Sequence, residues 1–508
     1  MQVVSATFAP YAVERVCDMR VVFELVDVDA AATAVPDCSD SCSLTQLEQT
    51  HDSVLEITKK YAAFEWDFWR LDGSFPLPEE DLTGTQTGWW SGGISDDSGT
   101  FAEPPILSFS FFHNQSSVGF TIYFDALANQ YPTVFRVVTF DLNGEIVTSL
   151  DVENQEAKCV INLPTENYRH VEFQFQKTSE PFRRVRVCEV VFGIVQYFDR
   201  NNLSGGALTY ELSPISASLP SSELSITIDN SRHAYNLINP KGLYAYLQQA
   251  QPLDAYLGIN GEYVSMGRFY FTTAEAEDSS MTAKITAHDR VYWFEKAMYR
   301  SGSTGQWTLA EAVSQVLASC NFDVEVVMPE SISGRAVGKA LLECTCREAL
   351  RLLAQAARCA CYIDRNDRLV FAEPEISAPA DTLDNDNMSA VAKIKVSEQI
   401  NAVELTVKDE YAQTQTVYRA EDIAVDEQEH VAAYSNAVAV DGQAVADWLL
   451  SMAQRRLTYT LDERGNPARE IGDTAVIYDA YGENRPALIF KEAYGFNGGL
   501  SCDTQAVG

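Results

Sequence analysis

The sequence is poor in positive charge. Of its 508 residues only 37 are Lys or Arg, against 72 Asp or Glu, for a formal net charge of -35 at pH 7. Affinity for nucleic acid comes mainly from Lys and Arg meeting phosphates, so this balance excludes a nucleic-acid clamp and favours a soluble chain that repels polyanions. No uninterrupted apolar run approaches the ~18 residues that a bilayer span requires. The opening "MQVVSATFAPYAVERVCDMR" has neither the basic start nor the apolar centre of a secretion signal, and synthesis in the cytosol is expected. The 11 cysteines are odd in number and scattered, which suits buried reduced thiols rather than a disulfide framework.

Catalytic patterns are also missing. His51, His113, His170, His233, His288 and His430 lie far apart, and none has the spacing that sets two metal ligands on one helix face. There is no G-x-S-x-G, no P-loop and no G-x-G-x-x-G between a strand and a helix. With 72 carboxylates, acidic runs such as "EED" at 79 to 81 and "EDIAVDEQE" at 421 to 429 are expected by chance and read as solvated faces. Asp384, Asn385, Asp386 and Asn387 are spaced like a calcium loop but lack its glycine and closing glutamate. The expectation is a protein that is not an enzyme, with no catalytic, cofactor-binding or metal-ligating residues.

What the chain does contain is β-pattern. At ~100 to 200 residues per domain its length predicts several folding units. From 53 to 198, short strands such as "ILSFSFF", "GFTIYFD" and "HVEFQFQ" alternate with Gly, Asn and Pro turns. Phe173 and Phe175 oppose Glu172, Gln174 and Gln176, as one buried and one wet face require. "ELSITIDN" sets Leu224, Ile226 and Ile228 on one face. Asn239-Pro240 should open a short amphipathic helix carrying Leu243, Tyr246, Leu247 and Ala250. Asn260-Gly261 predicts a hairpin.

A small α+β module follows. Thr308 with Glu311, and Thr345 with Glu348, match capping boxes ahead of two helices. "CTCREALRLLAQAARCAC" reads as the second helix running into a strand. About twelve helical residues span ~18 Å, so Cys346 and Cys359 cannot share one tetrahedral metal. Cys359, Cys361 and Ile363 then fall on one face of a hairpin. In "GQAVADWLLSMAQRR" Val445, Trp448, Leu449 and Met452 form an apolar stripe, with Arg455 and Arg456 expected in the last helical turn. Aromatics crowd the sandwich at Trp66, Phe68, Trp69, Phe75, Trp89 and Trp90. Of these, Trp66, Trp89 and Trp90 are the candidate surface-recognition residues, weighed against an ordinary place in the core.

Three stretches carry a family resemblance. "ASLPSSELSITIDNSRHAYNLINPKGLYAYLQQAQPLDAYLGINGEYVSMGRFYFTTAEAE", "CREALRLLAQAARCACYIDRNDRLVF" and the C-terminal "WLLSMAQRRLTYTLDERGNPAREIGDTAVIYDAYGENRPALIFKEAYGFNGGLSCDTQAVG" together resemble the hub proteins of bacteriophage tail tips and baseplates. The block from "WRLDGSFPLPEED" through "GWWSGGISDDSGTF" to "TVFRVVTFDLNGEIV" is similar to a galactose-binding-like, discoidin-type jelly roll inserted after the strand "DMRVVFELVDV".

The resemblance implies a mainly β fold with a small α+β module: two tail-tube-like β-barrel hub domains plus the inserted β-sandwich. The expected boundaries are 1–52 with 199–300 for the first hub domain, 53–198 for the jelly roll, 301–375 for the α+β module and 376–508 for the second hub domain. It implies a homotrimer in the virion tail that caps the tube and opens for genome ejection. Its partners would be the distal tail protein, the tail tube protein, the tape-measure protein and fibre or spike components, with phage DNA passing unbound. Two alternatives are a carbohydrate-binding module for host attachment through a surface glycan, and the hub of a non-viral contractile injection particle. A wall hydrolase would need an appended lytic domain beyond "TQAVG", and none is expected.

Overall fold

The computed structural model describes residues 1–508 apart from 53, 71, 78–81, 83, 237, 238, 240–242, 278, 302–304, 340, 341, 410–413, 423–429 and 479–483. The acidic runs at 79 to 81 and 423 to 429, and Pro240 of the expected helix start, therefore lie outside the described residues. The chain is mainly β, as its alternating patterns require, and it forms two compact units. One comprises residues 1–22, 198–233 and 252–508; the other comprises 23–197 and 234–251.

The second unit is a seven-stranded sheet in the order Trp89–Trp90, Arg186–Val191, Ile106–Phe124, Lys158–Thr178, Pro132–Phe140, Ile146–Glu153, with Val35–Cys38 added beside Ile106–Phe124. Its two longest strands, Ile106–Phe124 and Lys158–Thr178, pair antiparallel with irregular register between Ser110 and Gln115 and between Ser117 and Gly119. Such bulges bend a strand and increase its twist. Gly119 is needed there, at φ 159°, because a Cβ would collide with the carbonyl of Ile161. Phe109, Phe120, Phe173 and Phe175 are fully buried in the aromatic core. The Phe120 and Phe173 rings meet edge to face at 5.6 Å, an arrangement that adds to simple area burial.

The described residues 243–250 do not build the amphipathic helix their spacing predicts. A single 3-10 turn, Leu243–Tyr246, is formed. Gln251 explains the stop. Its side-chain amide donates to the carbonyls of Tyr246 and Val26, while its oxygen accepts from the Gln248 amide. One buried side chain thus takes the backbone partners that a continuing helix would have used.

In the first unit, strands from distant parts of the sequence join one antiparallel run: Lys393–Val396, Leu457–Glu463, Leu500–Val507, Asn484–Phe496, Leu203–Glu211, Glu223–Asp229, Thr282–His288, Glu262–Ala276 and Pro252–Ile259. Gly206 pairs with Phe496 and Glu211 with Lys491, so the C-terminal strands continue the sheet begun near residue 203. The strand order is an open path, and no closed barrel is found among the described residues. Leu224, Ile226 and Ile228 are fully buried, and the Asn260-Gly261 turn joins Pro252–Ile259 to Glu262–Ala276 with positive φ at both positions. That matches the two-residue hairpin turn this dipeptide favours.

The helices Leu309–Ser319 and Cys346–Ala356 share a core with the hairpin Ala360–Ile363/Leu369–Ala372 and with Gly442–Ala453. Thr308 and Glu311 form the complete capping box, and Thr345 accepts from the Glu348 amide. Cys346 opens the second helix and Cys359 follows its end, and both are buried with Cys361. Gly442–Ala453 ends before Arg455 and Arg456, which do not occupy its last turn as expected. They follow the Gln454 cap and donate instead to the carbonyls of Pro374 and Ser397, charge-assisted bonds that tie the guanidinium groups to segments distant in sequence. Asp384 and Asn387 close their own turn through Asn387 Oδ1 and the Asp384 amide.

A buried guanidinium locks the C-terminal strands. Arg469 donates to Glu492 at 2.7 Å, to Asp381 at 3.2 Å, to Thr504 at 3.0 Å and to Glu463, all at 0% side-chain exposure for the arginine.

Candidate recognition surface

The three tryptophans singled out by composition part company in the fold. Trp89 and Trp90 pair with Val187 and Arg186 in a short antiparallel ladder, and both are fully buried. Their indole N–H groups donate to the carbonyls of Asp40 at 3.0 Å and Thr87 at 2.9 Å. A ring with no exposed surface cannot stack on a ligand, so the expectation of surface recognition is corrected for these two. As neighbours on one strand they face opposite ways, and each is covered separately, Trp89 by the aromatic core that holds Phe175 and Trp90 by Leu44 and Tyr61. Trp66 is the exposed member, at 75%.

Trp66 sits on an irregular segment pinned from below by charge. Arg186 has no exposed side-chain surface, bonds Asp125 at 2.9 Å and pairs with Glu65. Its guanidinium lies 4.0 Å from the Trp90 ring centroid and 4.2 Å from that of Phe68, on the same segment as Trp66. Removing a cation from water is costly, and two carboxylates plus two aromatic faces offset that cost. Glu65 also accepts from the Arg184 amide at 2.8 Å, and Arg183 donates to the Trp66 carbonyl. Phe68 meets Phe75 edge to face at 5.4 Å.

With the segment held this way, Phe64 (92% exposed) and Trp66 present rings to solvent, and Phe182 lies 6.5 Å from Trp66. Exposed rings on a fixed backbone suit stacking against a flat apolar face. Phe64, Phe182 and Arg186 were not singled out from sequence. The signal for Arg186 was the alternation in "RRVRV", where an arginine between valines of a buried strand demands acidic partners; those partners lie 61 and 121 residues away.

Among the described residues no group of three or more His, Cys, Asp or Glu is placed to hold a metal ion, and no helix is long and apolar enough to cross a membrane.

No family model matches the sequence, and no curated protein matches it. Among solved structures, the chain is similar to a tail protein from Neisseria meningitidis, at 13% identity over 61% of this chain and 93% of that one, with TM-score 0.45. It is also similar to the 43 kDa tail protein of prophage MuSo2 from Shewanella oneidensis, at 15% identity over 61% and 95%, with TM-score 0.44. A further likeness is to the family 32 CBM from C. perfringens NanJ in complex with galactose, at 9% identity over 34% of this chain and 99% of that one, with TM-score 0.22.

Proposed function

We propose that this protein is a structural hub of a phage tail tip or baseplate, acting as a homotrimeric adaptor between the tail tube and the distal components. The observation that carries the reading is an unfinished sheet. The long antiparallel run of the first unit ends on Lys393–Val396, which pairs on one side with Leu457–Glu463 and is exposed at every position, with Ile394 at 45% and Val396 at 57%. An edge of this kind exposes unpaired backbone groups, and closed cyclic assembly is one way to cover them. The family resemblance of the flanking sequence supplies the trimer, the division into two hub domains with an inserted jelly roll, and the partners: distal tail, tube, tape-measure and fibre or spike proteins. The net charge of -35 suits a conduit through which DNA passes without adhering.

The test is the mass of the purified chain by light scattering after size exclusion, followed by electron microscopy. Three times the 56.3 kDa of the chain, with a ring in projection, is the expected result. A strict monomer that adds to neither tube nor distal tail protein would overturn the reading.

A second reading concerns the jelly roll as a host-recognition module for surface saccharide, favoured by the exposed Phe64 and Trp66 on their anchored segment. The intact protein should bind a neutral glycan, and Trp66→Ala should weaken that binding if this surface makes the contact.

A further inference from the structure

We infer that the outer face of the sandwich sheet carries a saccharide subsite separate from the Trp66 segment, built on the cross-strand row Ser110, His170 and Phe140. It rests on the saccharide reading above and deepens it. His170 on the central strand Lys158–Thr178 pairs with Ser110 on one side and Phe140 on the other. His170 Nδ1 lies 2.9 Å from Ser110 Oγ, Nε2 lies 3.4 Å from Glu172, and the imidazole faces the Phe140 ring at 5.6 Å. A recess of about 510 Å³ opens over this row, bounded also by Asp141, Leu142 and Arg169.

Its walls have a local cause. Phe112 is 73% exposed by the ordinary alternation that exposes Ser110 and buries Phe111, and Arg169 closes the register irregularity between Ser110 and Gln115 by donating to the Phe112 carbonyl and, at 2.7 Å, to Asn114. Bulges recur where a strand must re-aim a side chain beside a site. Across the recess Leu142 is 71% exposed at the tip of the 141–145 turn. Asp141 holds that turn by accepting from the Asn143 and Glu145 amides at 2.8 and 2.9 Å. These bonds, led by that from Glu145, keep its carboxyl below the usual range.

The chemistry selects the ligand. The strand beneath is hydrogen-bonded on both sides, so an added peptide strand has no backbone to pair with. One arginine faces two carboxylates, which disfavours a strong anion, and Asp141 and Glu172 already accept hydrogen bonds from Asn143, Glu145 and Gln174, which leaves them poorly free for a strong cation. Donors and acceptors between apolar walls at Phe140 and Leu142 match a neutral hexose, whose hydroxyls both donate and accept and whose C–H face is apolar.

The experiment uses the full chain and immobilised neutral oligosaccharides of galactose, glucose and N-acetylhexosamines, with unfolding curves confirming that each variant is folded. His170→Ala and Glu172→Gln are each expected to lose about tenfold or more in affinity, the scale of a hydrogen bond to a charged group. The exposed Leu142→Ser should weaken binding, and it keeps the test open if His170→Ala fails to fold. The loss on His170→Ala should persist at the same fold in a Trp66→Ala background, because the two surfaces are separate. Loss on Trp66→Ala with His170→Ala intact would overturn the subsite while keeping the saccharide reading. No binding to any probe by the wild type would overturn both. A change in particle mass on Leu142→Ser, without sugar binding, would reassign the face to contact between copies. None of these outcomes bears on the hub reading, which the mass measurement decides separately.

Discussion

At the scale of single residues, the chain spends its few cations where they hold the most structure. Arg186 sits between Trp90 and Phe68 with Glu65 and Asp125 as partners, and all of these charges are buried. Replacing it with methionine keeps the bulk but leaves two buried carboxylates unpaired, and such breaks cost about 3–5 kcal/mol. Arg186→Met is therefore expected to lower the denaturant midpoint of the second unit and expose the Phe68 segment to protease; an unchanged midpoint would refute the role.

Asp289 gives a pH signature. It caps Arg290–Phe294 and accepts from Ser221, Ser222 and Val291, yet burial outweighs these bonds and raises its carboxyl above the ordinary 3.8. The folded state then holds the proton to higher pH than the unfolded state. Its contribution is fully present below 3.8 and is lost as pH rises through the higher folded value. The melting temperature of wild type relative to Asp289→Asn should fall as pH climbs from that point, and a constant difference would contradict it. The thiols point the same way: burial pushes Cys159 up to about 11 and Cys188 up to about 12, so both stay protonated and inert at neutral pH.

At the scale of elements, local signals worked where the backbone decides and failed where a distant side chain intervenes. The Thr308–Glu311 box and the Asn260-Gly261 turn formed as their sequences imply, because capping and φ > 0 preferences are satisfied within a few residues. Thr308→Ala should cost about 1 kcal/mol, read as a shift in the unfolding midpoint, and Thr308→Ser should restore most of it. The segment 243–250 had an equally good helical period and became one 3-10 turn, where Gln251 takes the Tyr246 carbonyl and the Gln248 amide. Arg455 and Arg456 leave the last turn of Gly442–Ala453 in the same way, reaching the backbone oxygens of Pro374 and Ser397, which are distant in sequence. Trp66, Trp89 and Trp90 look alike in composition, and only packing separates them.

At the scale of the whole molecule, charge and sheet edge set the behaviour. With 72 acidic residues against 37 basic, copies repel one another, and salt should strengthen association by screening. Lys393 and Lys395 on the exposed edge strand run against that general sign. If the edge is covered in a ring, Ile394→Asp should reduce the particle to monomer at moderate salt while the circular-dichroism spectrum stays unchanged. A ring that persists through this substitution would place the contact elsewhere.

The sequence by itself determined the mainly β character, the caps and hairpin turn, the inward faces of strands such as Glu223–Asp229 and the net acidic balance, because each depends on periodicity, backbone preference or composition alone. The tertiary structure alone decided that residues 203–211 and 484–496 share one ladder, that Arg186 and Arg469 find their acids across long stretches of chain, that two of three tryptophans are core, and that Ser110, His170 and Phe140 stand in one row. These are long-range pairings fixed by register and by the cost of leaving a buried charge or backbone group unmatched, and no local stretch of sequence encodes the partner.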